Sequence, residues 1–88
     1  MRHDQIVKTF KKVFKGQNNF MTPDVLEYGQ RGEYIFEVSK SKGIGGETIY
    51  GLTVLGISGE HYHELSGCYH SIKDINEAIA KLKDAVTV

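Results

Sequence analysis

The stretch EYIFEVSKSKGIGGETIYGLTVLGISGEHYHELSGCY, residues 33–69, decides the fold. Tyr34, Phe36 and Val38 alternate with Ile35, Glu37 and Ser39. That period of two belongs to a strand, because successive side chains leave a pleated backbone on opposite sides. Gly43, Ile44, Gly45 and Gly46 interrupt the pattern, and Thr48 to Ile57 resumes it with Tyr50, Leu52 and Val54 on one face. Ser58 and Gly59 have the form of a two-residue turn into a third strand, from about Glu60 to Tyr69. Such a turn sets Leu52 opposite Leu65, Val54 opposite His63 and Tyr50 opposite Gly67. The apolar members then share a face, whereas a slip by one residue sends Leu65 to the other side.

Upstream, Phe20 to Tyr28 reads in two ways. Thr22, Pro23 and Asp24 have the form of a helix start, with threonine as cap and proline in the first turn. Alternatively, Val25 to Tyr28 is a short strand that turns back through Gly29, Gln30, Arg31 and Gly32. The strand is preferred, since a glycine-containing turn followed at once by a strong strand makes a hairpin.

Helical patterns stand at both ends. Ile6, Val7, Phe10, Val13 and Phe14 recur at steps of three and four between a capping Asp4 and about Lys15. Gly16 is a natural stop, and Gln17, Asn18 and Asn19 form a polar loop. Near the other end, Ser71 precedes Ile72, Ile75, Ile79, Leu82 and Val86, with Asp74 three residues after the serine as in a capping box. The chain therefore reads as one α+β domain over residues 1–88. An antiparallel sheet of three to four strands is flanked by an N-terminal and a C-terminal amphipathic helix.

Two arrangements follow from that order. With both helices on one face, Ile49, Leu55, Ile57 and Tyr62 form an exposed apolar patch on the other, a candidate protein-interaction surface. With the first helix crossing over, those positions belong to a second core.

Composition narrows the function classes. Basic and acidic residues number 11 each, without the basic excess that non-specific nucleic-acid binding uses. The charge is bipolar, +3 over residues 1–44 and −3 over residues 45–88, which orients partners even when the total cancels. No apolar run approaches the roughly 18 residues of a membrane span, and no secretory leader pattern opens the chain. The single Cys68 suits a reducing compartment. The expected setting is cytoplasmic, with no membrane partner.

Three clusters invite chemistry. His61, His63, Cys68 and His70 are zinc-type ligands within ten residues. On a straight strand, however, Cys68 and His70 fall on the face opposite His61 and His63, and decoration of an outer strand explains all four. No metal or other cofactor is expected. Gly43, Ile44, Gly45 and Gly46 after Lys40 and Lys42 resemble a phosphate loop in composition only, because a strand follows where a phosphate loop needs a helix N-terminus. Cys68 has no third group or oxyanion donor to complete a nucleophile–base pair, so no catalysis is expected.

Lys8, Lys11, Lys12 and Lys15 form a basic helix face. In element order, helix, three strands and helix resemble the double-stranded-RNA-binding domain, over the first helix and from Tyr34 to the C-terminus. On a nucleic-acid reading these lysines, with Lys40 and Lys42, are the phosphate contacts, while the resemblance itself is one of element order. It departs from the family at its most specific feature, a lysine cluster opening the last helix, where His70, Ser71, Ile72, Lys73 and Asp74 supply one lysine.

The leading expectation is a non-catalytic interaction module, an adaptor or stoichiometric inhibitor acting on another protein and compatible with a homodimer. Its size and style suit a protein carried by a phage or mobile element. A nucleic-acid-binding domain is the alternative.

Overall fold

The computed structural model describes residues 2–14 and 24–86, with side chains as far as Leu82. Lys15, Gly16, the polar loop at 17–19, the helix start at Thr22 and Pro23, and the Val86 side chain lie outside the described residues. Helix α1 (His3–Val13) leads into a meander of β1 (Asp24–Arg31), β2 (Tyr34–Lys42), β3 (Thr48–Gly56) and β4 (Gly67–Tyr69), and α2 (Ile72–Val86) follows. The four strands are antiparallel and lie side by side in chain order.

Both faces of the sheet are covered, one helix to each. Even-numbered positions of β2 and β3 face α2: Phe36, Val38, Leu52 and Val54 bury Ile75, Ile79 and Leu82. Ile35 and Leu55 face the other way and are sealed by Ile6 and Phe10 of α1. The physical reason is in β2 and β3 themselves. A strand that is apolar on both sides at its centre must be covered on both sides. Helices on one face only would have left Ile35 and Leu55 in water.

α1 starts earlier than a cap at Asp4 predicts. Arg2 is the N-cap, and its N–H donates to the Gln5 side chain at 3.1 Å. Asp4 lies in the first turn instead, where its charge suits the positive end of the helix dipole. At α2 the serine cap is as expected: the Asp74 N–H donates to Ser71 Oγ at 3.1 Å. Ile72 is 43% exposed, so the buried stripe of α2 runs through Ile75, Ile79 and Leu82.

The first hairpin is longer than its glycines suggest. β1 continues through Gly29, Gln30 and Arg31, and the turn is the two residues Gly32 and Glu33. Gly32 has φ 57°, a left-handed conformation that glycine adopts without steric cost. Gly29 lies opposite Phe36, whose ring occupies the space a β-carbon would take. Its role is close approach within a strand, not a turn.

The third predicted strand is broken. The loop after β3 has three residues, closed by Gly56 N–H donating to Glu60 O at 2.8 Å, with Gly59 at φ 98°. His61 therefore lies opposite Leu55, and the expected pairing of Val54 with His63 does not form. A 3-10 turn at His63–Leu65 follows, and β4 resumes with Leu52 opposite Gly67 and Tyr50 opposite Tyr69. Ser66 makes the break possible. Its hydroxyl accepts the Val54 N–H at 3.0 Å and donates to Tyr62 O at 2.9 Å, replacing a missing ladder bond.

Candidate interaction surface

In a meander the first strand has a neighbour on one side only. Among the described residues no strand lies beyond β1, an eight-residue strand at the edge of the sheet. The other edge is β4, only three residues long. Short edge strands pair poorly with foreign chains, whereas long ones are ready templates.

The pairing pattern follows from the turn. Arg31 and Tyr34 flank a two-residue loop, so they can pair only through mutual N–H···O=C bonds. Hydrogen-bonded and non-hydrogen-bonded pairs alternate in an antiparallel ladder. Gly29 with Phe36 is thus the next bonded pair, and the backbone groups of Gln30 and Tyr28 are directed away from β2. Further along, Leu26 is the extra residue of a bulge: Val25 is opposite Ser39, and Glu27 is opposite Val38. Val25 and Leu26 are 44% and 49% exposed. Asp24 and Arg31 close the two ends of the edge with opposite charges, both exposed.

β1 is held from behind by aromatic contacts. The Tyr28 ring packs against Phe10 at 5.4 Å and edge-on to His3 at 5.9 Å. Burial, then the neighbouring Glu37 carboxylate and a hydrogen bond to it, push the Tyr28 phenol up to about 12. The edge is thus presented on a strand fixed both to β2 and to α1.

The four residues of the expected apolar patch are not brought together. Leu55 is wholly buried beneath α1. Tyr62 turns to the opposite face, edge-on to Tyr34 at 5.1 Å. Ile49 is half-buried in β3, and only Ile57, beyond the end of β3, is exposed, at 45%. The patch required an uncovered sheet face, and α1 covers it.

The lysines divide as well. Lys8, Lys11 and Lys12 are exposed on α1, on one side of the sheet. Lys40 and Lys42 are exposed and share the α2 face with Phe36 and Val38. They do not form one continuous phosphate-binding strip with the helix.

Of the metal-type residues, His61 and His63 do meet, with ring centroids 3.9 Å apart, and His61 is edge-on to Phe14 at 5.7 Å. Burial and then the neighbouring His63 hold the His61 imidazole below its ordinary value. Cys68 lies opposite Gly51, four residues along β3 from the partner of His61 and so roughly 13 Å away. Among the described residues no three His, Cys, Asp or Glu side chains gather as a metal site. No described helix is long and apolar enough to cross a membrane.

The sequence did not single out Asp24, Leu26 or Arg31. Gly29 read as the start of the turn, which cut the strand short. The available signal was the bulk of Phe36, which needs a glycine across from it. Comparison with protein-family models, with curated proteins and with solved structures gave no match.

Proposed function

We propose that this chain is a non-catalytic interaction module, a small adaptor or stoichiometric inhibitor that engages another polypeptide along the outer edge of β1. One observation carries the reading: among the described residues β1 is the long edge of the sheet, and its two neighbouring apolar side chains, Val25 and Leu26, are about half exposed. Addition of an extended segment to such an edge gives affinity through main-chain hydrogen bonds and specificity through alternate side chains. Val25 and Leu26 supply the apolar contacts, and Asp24 and Arg31 set direction by charge.

Site-specific photo-cross-linking tests this. p-Benzoylphenylalanine replaces Leu26 in one variant and Lys12 in another, and each is irradiated in cells that express the chain. A discrete protease-sensitive adduct through position 26, absent through position 12, is expected. A nuclease-sensitive adduct through position 12 would instead support the nucleic-acid reading, and no adduct at position 26 would overturn the edge as the contact.

A further inference from the structure

We propose that a cleft on the α2 face, where β2 begins and β3 ends, binds the cationic end of an arginine or lysine side chain carried by a partner polypeptide. It shares with the reading above only the premise of a polypeptide partner, and does not use the contact along β1.

The cleft is built by the register at this end of the sheet. Tyr34 lies opposite Gly56, and the three-residue loop after Gly56 returns Glu60 and Tyr62 to the same place. Gly56 has no side chain, so the Glu60 carboxylate and the Tyr62 ring lie against its backbone. A β-carbon there would meet Glu60 Oε2 and come within 3.2 Å of the Tyr62 ring. The rings of Tyr34 and Tyr62 stand edge to face, with centroids 5.1 Å apart and planes at 89°, and so make two aromatic walls at a right angle. Glu33 and Glu60, both exposed, supply carboxylates beside them. The space is about 260 Å³. Pockets for whole small ligands run from roughly 300 to 1,000 Å³, so this one suits a single side chain.

The walls and the charge select the same ligand. An aromatic face attracts a cation through its quadrupole, and a carboxylate accepts charge-assisted hydrogen bonds from a guanidinium or an ammonium. Among the described residues neither Glu33 nor Glu60 is ion-paired. Arg31 is opposite Tyr34 on the side away from Gly56 and pairs with neither. The negative potential is felt inside the cleft: partial burial, then the neighbouring Glu60, Tyr34, Glu33 and Glu64, hold the Tyr62 phenol above its ordinary value. A bound cation relieves that potential, whereas a neutral or anionic group does not. Ile57, 45% exposed, borders the cleft and offers apolar surface to an alkyl stem, along which long basic side chains pack. That contact favours a side chain over a small free cation.

Titration of the isotope-labelled full chain, followed by amide NMR shifts, tests this with three probes: acetyl-Gly-Arg-Gly-amide, the same peptide with neutral citrulline for arginine, and methylguanidinium. The arginine peptide is expected to give saturable shifts at Gly56 and Tyr62, and the citrulline peptide none. The double variant Glu33→Gln with Glu60→Gln changes two exposed positions and weakens arginine-peptide binding about tenfold. Ile57→Ala weakens that peptide about threefold and leaves methylguanidinium unchanged. Far-UV circular dichroism confirms that each variant is folded. Absence of a saturable shift, equal shifts with citrulline, or shifts spread equally to Asp74 and Glu77 of α2 would overturn the cleft as a cation site. Methylguanidinium that binds as tightly as the arginine peptide would overturn the polypeptide as its source. The cross-link at position 26 reads the β1 edge separately, so either contact can fail without the other.

Discussion

Leu55 and Ile57 lie two residues apart on the same face of the sequence pattern, and the structure gives them opposite fates. Leu55 is wholly buried against Ile6, Phe10 and Ile35, whereas Ile57 is 45% exposed. Leu55→Ala removes about three methylene equivalents, or about 2.4 kcal/mol of transfer free energy at roughly 0.8 kcal/mol each. The cavity left between helix and sheet adds to this, for about 3 to 4 kcal/mol in all. Ile57→Ala trims a side chain already half in water and costs about 1 kcal/mol or less. Urea denaturation followed by circular dichroism measures both. With a slope of roughly 1 kcal/mol per molar for a domain this small, the Leu55→Ala midpoint falls by about 3 M, or the domain is unfolded without denaturant. The Ile57→Ala midpoint moves by 1 M or less. Equal, small shifts for the two variants would refute the placement of α1 over this face. Leu55→Asp goes further, burying a carboxylate with no partner, and leaves no folded domain.

Three other predictions follow from single contacts. Ser66→Ala leaves the buried Val54 N–H without its acceptor and costs about 1–3 kcal/mol; hydrogen exchange at Val54 accelerates more than at Leu52. Gly29→Ala forces a methyl into the Phe36 ring and costs about 1–3 kcal/mol by thermal melt, an effect that Phe36→Leu in the same chain reduces. Tyr28 ionises near pH 12 while an unfolded tyrosine ionises near 10. The folded state thus holds a proton that the unfolded state has released, so stability is complete below pH 10 and declines as pH rises to 12. Ultraviolet titration at the phenolate band reads this directly, and Glu37→Gln brings the late-titrating tyrosine back toward 10.

Much of the fold is legible locally. The alternation at Tyr34–Val38 and the three-and-four spacing from Ile75 to Leu82 record which side of each element meets a core. That information resides in neighbouring residues. Ser71 likewise caps α2 through a bond to a residue three positions away. The candidate site was less legible, because an edge is defined by what does not pair with it. Val25 was read in a strand, but Gly29 concealed how far that strand runs.

The sequence by itself determined the order of elements, the apolar stripes of the two helices and the antiparallel sense of the strands, since each depends on side-chain periodicity or on short connections. Only the tertiary structure decided that α1 crosses to the face of Ile35 and Leu55, that the chain after Gly56 breaks between His63 and Ser66, and that β1 runs on through Gly29 to Arg31. Those outcomes depend on competition between distant groups for the same apolar surface and the same hydrogen bonds, and no local window contains both competitors.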